Sequence, residues 1–416
     1  MSKSTLAIAA LLALGLAAAA ERVVVANLNG ASVDFFDSVT GANEGRVVVG
    51  SSPVDVAPDS ASGFGPSRVF VANSGSNTVS VVQLDPAGVA ATITGGGSYG
   101  TFQTPSGVAL HPSGAMVVVD QKPSTYPGTP NGRSTIRFFH AGTFSLIDDY
   151  RDASATARYN DVVVTSNGKL WIADDGDQGV VVARFPASLP PFSFPETLIY
   201  NGSGEFADFL HDAAAVPTFL VAPRRLATNG TTRVVVADAG SSNLTVINAD
   251  TQTLQNVSLG AGVTINDVEV VGNFAFATTT GVTNLHRVDL TDLTLTSTAI
   301  AGAAQGLGAS SDGAALFIGA GAGSGLIQRI DLTVAFPSAP AALPAFAIPG
   351  DFPFAFFSSV RNAAAPPPAG PPAGPEPDPP FISQSNTTST TNGSDNCGLL
   401  GLELLLVLAC LRARRA

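Results

Sequence analysis

The chain has 416 residues, 45% of them hydrophobic, with a formal net charge of -12 and a pI near 4.6. That length and apolar content are sufficient for a large buried core. The acidic balance argues against nucleic acid or an anionic membrane surface as a partner, because neither is attracted to an acidic surface.

Residues 1–20 have the composition of a secretory signal peptide. Lys3 supplies a positive n-region, residues 6–16 form an apolar h-region, and three alanines before Glu21 form a small-residue cleavage site. We therefore expect the mature chain to begin at Glu21 and to be exported through the inner membrane.

Between residues 21 and 362 one sequence pattern is repeated seven times. It consists of a short apolar strand, a Gly/Ser/Asn turn, a second apolar strand and a third that ends near Ser-Asp-Gly or Ser-Asn-Gly. Equivalent positions, 40 to 64 residues apart, are Ala26, Ala72, Val119, Ala173, Ala237, Ala277 and Gly319. A period of roughly 40 to 50 residues with several short strands is typical of a β-propeller, in which each repeat forms one blade.

The two ends of the repeat array indicate how the ring closes. The chain enters at Arg22 in what aligns as the second strand of a blade, and residues 352–362 align as a first strand. A terminal strand that completes the first blade leaves no open edge. We therefore predict an all-β protein whose residues 21–362 form a seven-bladed β-propeller closed by a C-terminal strand.

Two further segments follow the predicted propeller. Residues 363–396 are rich in Pro and then in Ser, Thr and Asn, which predicts a disordered, polyproline-like stalk. Residues 397–416 contain Cys397, an apolar run interrupted by Glu403 and a basic end. The run of about 13 residues predicts a hydrophobic C-terminal helix that is short for a membrane span.

The order of cysteine, apolar helix and basic end resembles bacterial C-terminal sorting signals of the MYXO-CTERM type. The resemblance implies recognition by a sorting protease in the membrane and display at the cell surface or outer envelope. It also implies that Cys397 is the processing or anchoring residue and that Arg412, Arg414 and Arg415 form the retention signal. An uncleaved single-helix anchor and release from the cell are the alternatives.

One blade also carries a resemblance at the level of the repeat. Residues 71–73 and 76–81 resemble the YVTN β-propeller family, and residues 241–247 repeat the pattern. That family includes surface-layer and other secreted proteins besides a lactonase branch. The resemblance implies the fold and leaves the ligand open.

A column of charged residues falls where the innermost strand of each blade begins at the central channel. The aligned residues are Asp55, Gly107, Asp161, Arg225, Asp267, Gly306 and Ala355. The four charged members are candidate ligand-binding residues at the channel mouth. Asn160, Asp161, Asn266 and Asp267 are candidate ligands for a divalent cation such as Ca²⁺. The alternative is that these Asp and Asn side chains cap backbone N–H groups at the channel rim.

Catalytic machinery is not evident in the sequence, so we assign no catalytic residue and expect no cofactor beyond that candidate cation. Residues 159–175 resemble the gluconolactonase-type propellers, in which such an Asn ligates a catalytic divalent metal, but their Glu-Gly-Pro motif is absent. There is no phosphate-binding loop with Lys. The sequence favours a binding or structural module, with a metal-dependent lactonase-type hydrolase as the alternative.

Two long insertions, residues 121–133 and 185–223, stretch their repeats. Insertions in propellers map to loops on one face, and loops on a rigid scaffold usually carry binding. We therefore expect a protein or glycan partner at the cell surface; the alternative is that these loops only pack over the channel mouth.

Overall fold

The computed structural model describes residues 21–59, 68–97, 100–121, 134–152, 156–184, 208–210, 220–280, 282–300, 302, 304–320, 326–333, 336, 346–347 and 353–360. The predicted signal peptide (1–20), stalk (363–396) and C-terminal segment (397–416) lie outside these ranges, as do most residues of both insertions. Across the described ranges there is no α-helix, and hence none with the length and hydropathy to cross a bilayer.

The described residues form seven antiparallel sheets of four strands each. Blade 1 contains β1 (Glu21–Asn27), β2 (Ser32–Asp37), β3 (Asn43–Val48) and β28 (Pro353–Val360). Blade 2 contains β4 (Pro53–Pro58), β5 (Arg68–Asn73), β6 (Thr78–Leu84) and β7 (Ala87–Ile93). Blade 3 contains β8 (Pro105–Leu110), β9 (Ala115–Asp120), β10 (Thr135–His140) and β11 (Leu146–Arg151).

The remaining four blades follow in chain order. Blade 4 contains β12 (Tyr159–Val164), β13 (Lys169–Asp174), β14 (Gly179–Arg184) and β15 (Asp208–Leu210). Blade 5 contains β16 (Pro223–Thr228), β17 (Arg233–Asp238), β18 (Asn243–Asn248) and β19 (Leu254–Ser258). Blade 6 contains β20 (Thr264–Val271), β21 (Phe274–Thr280), β22 (Asn284–Asp289) and β23 (Leu295–Ala299). Blade 7 contains β24 (Ala304–Ala309), β25 (Ala315–Ala320), β26 (Leu326–Asp331) and β27 (Phe346–Ala347).

The predicted ring closure is confirmed. Strand β28 pairs antiparallel with β1, from Glu21 opposite Val360 to Ala26 opposite Ala355, and becomes the innermost strand of blade 1. The first blade is therefore built from both ends of the described chain. Because the pairing is antiparallel, Glu21 and Val360 lie side by side at one end of that blade.

Hydrophobic packing joins each blade to the next. The second strands read as β-branched runs such as Val23, Val24 and Val25, all fully buried, because both faces of each sheet pack against a neighbouring sheet. The buried residues form seven clusters, and each cluster combines side chains of two adjacent blades. Trp171, for example, lies fully buried with Leu226 between blades 4 and 5.

A β-bulge recurs at the same place in every innermost strand. The register shifts by one residue just before each member of the predicted channel column. The residues in the bulges are Phe354, Val54, Ser106, Asn160, Arg224, Asn266 and Gln305. Bulges re-aim the side chains next to them, so this repeated irregularity sets the column apart from the rest of its strand.

The aligned positions of the second strands are confirmed in every blade but blade 6. There Asp267 pairs with Thr278, so the equivalent residue is Thr278 and not the predicted Ala277. The strand Phe274–Thr280 alternates Phe and Ala before three threonines. Because Ala277 and Thr278 are both small, the sequence does not show which of them pairs with Asp267.

The described strands that flank the two insertions end at both faces of the propeller, because β15 divides the second insertion and ends at Leu210 opposite Val180, where the innermost strand of blade 4 starts. Strand β9 ends at Asp120 opposite Pro105, at the end of the blade where the innermost strand starts. Strand β14 instead ends at Arg184 opposite Lys169, at the other end of its blade. The face from which an insertion leaves depends on which strand it follows, because neighbouring strands run in opposite directions.

A buried arginine ties blade 3 to the segment that leads into it. Arg137 is 1% exposed, and its guanidinium lies 4.8 Å from the ring centre of Phe102. Its Nη2 donates to Thr101 O at 3.2 Å and to Asp120 Oδ2 at 3.3 Å. Burial raises the pKa of Asp120 to about 6, although Arg137 opposes that shift.

We expect Arg137→Met to lower the free energy of unfolding by about 3–5 kcal/mol, because it leaves the Asp120 carboxylate buried without a cation. Urea unfolding followed by the fluorescence of Trp171, the one tryptophan in the chain, measures the loss. The control is Arg158→Met, which removes a pair with Asp175 whose arginine is 52% exposed; it should cost less than about 1 kcal/mol. Equal losses for the two variants would contradict the argument.

Candidate functional site

The innermost strands of blades 2 to 7 line a central cavity of about 450 Å³. Most of the lining residues are Val, Ala or Leu, but their side chains pack in the clusters between the blades, so polar atoms form much of the channel surface. The charged lining residues are Asp55, Asp161, Arg225, Asp267 and Glu269. The structure therefore brings together the four charged residues of the predicted column and adds a fifth, Glu269, which the column does not contain.

The three channel aspartates bond in the same way. One carboxylate oxygen of each accepts the N–H of the next residue in its own strand, and the other accepts an N–H from the following blade. The bonds within a strand are Val56 N to Asp55 (2.9 Å), Val162 N to Asp161 (2.8 Å) and Val268 N to Asp267 (2.9 Å). The bonds between blades are Val108 N to Asp55 (2.7 Å), Leu226 N to Asp161 (2.8 Å) and Leu307 N to Asp267 (2.7 Å).

These bonds link the blades in pairs: blade 2 to 3, blade 4 to 5 and blade 6 to 7. The column residues of blades 3 and 7 are Gly107 and Gly306, and that of blade 5 is Arg225. A Cβ on Gly107 would stand 3.0 Å from Asp161 Cα and from Val162 N. Glycine there permits the close approach of blades 3 and 4. The three aspartates therefore bond as the alternative interpretation of the sequence predicts, by capping backbone N–H groups at the channel rim.

The two candidate asparagines also bond between blades. Asn160 Nδ2 donates to Pro223 O of blade 5 at 3.2 Å, and Asn266 Nδ2 donates to Ala304 O of blade 7 at 2.7 Å. Asn160 Oδ1 accepts from Gln121 Nε2 at 2.6 Å. Each asparagine occupies the bulge, next to a column aspartate, so both side chains of each Asn-Asp pair reach the following blade.

The candidate cation ligands do not fit a divalent metal. Both oxygens of Asp161 and of Asp267 accept backbone N–H groups, and Asn160 Oδ1 is taken by Gln121. Among the residues that the structure describes, no three His, Cys, Asp or Glu side chains are grouped so as to hold a metal ion. A metal ion at this column would have to share the carboxylate oxygens with these inter-blade bonds.

Arg225 reaches across the channel. Its Nη2 donates to Val54 O of blade 2 at 3.1 Å. Burial lowers the pKa of Arg225, but attraction to Asp161, Asp267 and Asp55 outweighs burial and raises the pKa above its ordinary value. The channel thus holds one guanidinium among three carboxyl groups.

Burial dominates the protonation of these carboxyl groups. It raises the pKa of Asp161 to about 8, together with repulsion from Asp55, and it raises the pKa of Asp267 to about 6. It also raises the pKa of Asp55. Arg225 and the backbone N–H donors oppose all three shifts. At neutral pH the group therefore keeps part of its protons.

Glu269 lies two residues after Asp267 in the same strand. The residues at the same level of blades 2 to 5 are Ala57, Ala109, Val163 and Ala227. Burial, then repulsion from Asp267, raises the pKa of Glu269 to about 8, and its carboxylate accepts one backbone N–H, that of Val270. The missed signal was available in the sequence, because Glu269 is the one charged residue at a level of small and apolar residues.

A second set of aspartates was also missed. Each closes the second strand of its blade and accepts N–H groups from the segment leading into the same blade. The pairs are Asp120 with Gln103 and Thr104, Asp174 with Arg158, and Asp238 with Val221 and Ala222. The signal is the repeated ending in Asp after a β-branched run, which the sequence shows in blades 3, 4 and 5.

Glu269→Gln should flatten the dependence of stability on pH. The folded side chain keeps its proton up to about pH 8, whereas the ordinary pKa of Glu is 4.5. The free energy of unfolding of the wild-type protein therefore falls as pH rises from 4.5, where Glu269 of the unfolded chain ionises, to about 8, where Glu269 of the folded protein ionises. We expect the variant to match wild type near pH 5 and to exceed it at pH 8 by about 1–2 kcal/mol, since partial solvent access reduces the full effect.

Urea unfolding at a series of pH values measures this difference. The control is Asp292→Asn, which removes a fully exposed carboxylate from the same blade; hydrogen bonds from Thr294 already hold the pKa of Asp292 below its ordinary value. Parallel stability curves for wild type and Glu269→Gln would contradict the expectation.

The fold resembles solved structures at low sequence identity. A functionally unknown protein from Desulfotomaculum acetoxidans aligns with a TM-score of 0.55 and 14% identity over 80% of this chain and 99% of its own. A putative 6-phosphogluconolactonase from Bacteroides fragilis gives a TM-score of 0.60 and 14% identity, over 83% of this chain and 99% of its own. Another from Bacteroides uniformis gives 0.60 and 13%, over 82% and 100%.

No protein-family model and no curated protein matches the sequence. The similarity to solved structures, at 13–14% identity, shows the β-propeller fold alone.

Proposed function

We propose that this chain is an exported, surface-anchored β-propeller that acts as a binding or structural interaction module and not as a hydrolase. One observation carries the proposal. Both carboxylate oxygens of every aspartate in the channel column accept a backbone N–H, and one of these two N–H groups belongs to the neighbouring blade. Such carboxylates join neighbouring blades, and any acid-base or metal chemistry at them would compete with these bonds.

The charge of the channel also argues against the substrate named for two of the similar structures. A phosphogluconolactone carries an anionic phosphate, which needs cationic or N–H donor groups. The described channel has four carboxyl groups and one guanidinium, Arg225, which is engaged with Val54 O and the three aspartates. The described channel therefore offers an anionic phosphate no cation that is not already paired.

Surface display rests on the sequence at both ends. It is supported by the signal-peptide pattern of residues 1–20, the stalk composition of residues 363–396 and the sorting signal proposed around Cys397. The adjacency of Glu21 and Val360 is compatible with it. Glu21 and Val360 lie at one end of blade 1, opposite the end where Ala355 of the channel column lies. We propose that the protein or glycan partner binds at the face where the channel column lies. We also propose that the repeat is a YVTN-type blade.

The runner-up is a metal-dependent lactonase-type hydrolase. It is favoured by the names of the two Bacteroides structures and by the resemblance of residues 159–175 to gluconolactonase-type propellers. The engaged oxygens of Asp161 and Asp267 count against it.

Metal analysis by mass spectrometry and a lactone hydrolysis assay, run on the purified protein, separate the two functions. We expect no stoichiometric divalent metal and no hydrolysis with or without added Ca²⁺. Each of Asp161→Ala and Asp267→Ala should lose about 1–3 kcal/mol of stability, since each removes the acceptor of two backbone N–H groups. About one metal ion per chain, with hydrolysis that both variants abolish, would establish the hydrolase instead.

Anchoring is tested with the two cysteines of the tail, Cys397 and Cys410. We expect Cys397→Ser to abolish processing and surface retention in the native host, and the matched Cys410→Ser to leave both intact. Protease added to whole cells and the mass of the mature protein measure the two effects. If both variants behave as wild type, the tail is an uncleaved anchor.

A further inference from the structure

One arginine on the outer side of the ring lies over two aromatic rings. Arg287, in β22 of blade 6, is half-buried. Its guanidinium carbon is 4.6 Å from the ring centre of Phe274 and 4.5 Å from that of Phe336. Phe336 packs in turn edge-on to Phe276, with the ring centres 6.1 Å apart. Such distances are typical of cation–π contacts, so the two rings hold the guanidinium in place.

The N–H groups of this guanidinium lack an acceptor. In the part of the chain that the structure describes, the Arg287 side chain makes no hydrogen bond and no ion pair, and its Nε is buried without a partner. The two terminal Nη groups are not buried in this way, so they reach solvent. Five other arginines each pair with a carboxylate: Arg22, Arg46, Arg68, Arg137 and Arg158. Arg287 is thus a cation without a counter-ion in a chain of net charge -12.

The contacts of Arg287 leave one direction open to a ligand. The rings of Phe274 and Phe336 occupy two sides of the guanidinium, and Nε faces the interior. The open side is therefore the edge formed by Nη1 and Nη2. That edge presents two parallel N–H groups, which match the two oxygens of one carboxylate.

The neighbouring strand β23 provides hydroxyl groups on the same side. Thr296 lies directly opposite Arg287, and Thr298 follows two residues later on the same face of the strand. Strand β23 contains no charged residue, and its exposed Leu295 lies on the other face. This face therefore lacks the apolar centre of a protein interface. Hydroxyl groups both donate and accept, as those of a sugar require.

We propose that Arg287 binds the carboxylate of a uronic-acid-type sugar at the outer side of blades 6 and 7. The inference goes beyond the proposed function, because this site is separate from the channel column and from the partner face beside it. A phosphate dianion is disfavoured, since a single cation would have to balance two charges on an acidic protein. A neutral sugar would leave the Arg287 charge without a counter-ion.

NMR titration of the full chain, labelled with nitrogen-15 arginine, observes the Arg287 guanidinium directly. The probes are glucuronate, glucose and glucose 6-phosphate, which differ in the group at one carbon, and acetyl-glutamate amide as a peptide-type carboxylate. We expect glucuronate to shift the Arg287 signals with a Kd of about 1–10 mM, as one exposed charge pair implies. Glucose should leave them unchanged, and the other two probes should bind at least about fivefold more weakly.

Three variants test whether the guanidinium itself binds the sugar. Arg287→Lys keeps the charge but lacks the two parallel donors, so it should weaken glucuronate binding by about tenfold or more. The matched control Arg158→Lys, at an arginine paired with Asp175, should bind as wild type does. Phe336→Leu removes one ring and should weaken binding by about two- to fivefold. The backbone amide signal of Thr296 follows binding in the variants.

Four outcomes would overturn the inference. They are unmoved Arg287 signals up to about 20 mM glucuronate, well above a millimolar Kd, equal shifts with glucose, tighter binding of the phosphate or peptide probe, and unchanged affinity in Arg287→Lys. If circular dichroism shows that Arg287→Lys is unfolded, the wild-type titrations decide alone. Failure leaves the proposed function standing, because the lactone assay and the tail variants that test it do not involve Arg287.

Discussion

The innermost strand of each blade has a hydrogen-bonding partner strand on one side only, so its channel-side N–H groups need acceptors of another kind. In blades 3, 5 and 7 the acceptor is an aspartate of the preceding blade, which reaches the N–H of Val108, Leu226 or Leu307. The bulge just before each aspartate lets one carboxylate bond to two blades. Apolar clusters hold the blades together along their length, and these carboxylates fix the spacing of the blades at the channel.

That arrangement determines what the channel can do. A carboxylate that accepts two backbone N–H groups is held rigidly, and its burial raises its pKa, as it does for Asp161 and Asp267. Glu269 lines the same cavity, and among the described residues only the N–H of Val270 bonds to its carboxylate. The chemistry of the site is therefore divided between residues that build the ring and one residue that does not contribute to it.

The sequence predicted the seven blades, the closing strand and the channel column, because each is set by a repeat that can be aligned without knowledge of contacts. It could not give the donors that face Asp55, Asp161 and Asp267, since those lie in the next repeat, 40 or more residues away. Glu269 was missed because the alignment considered one level of the channel and not the level two residues further. The faces at which the insertions leave could not be predicted from the sequence, because the direction of the strand that precedes each inserted segment decides them.

Blade 1 differs from the others in how it would respond to force. Its innermost strand β28 is joined to β1 by antiparallel pairing that starts with Glu21 and Val360, and its column residue, Ala355, is not an acid. Tension applied to the chain after Val360 would load that first pair of residues and then each following pair in turn, so the strand would peel away instead of shearing as a unit. A propeller held by its C-terminus would thus open at the blade where its two ends meet, with the other six sheets left intact.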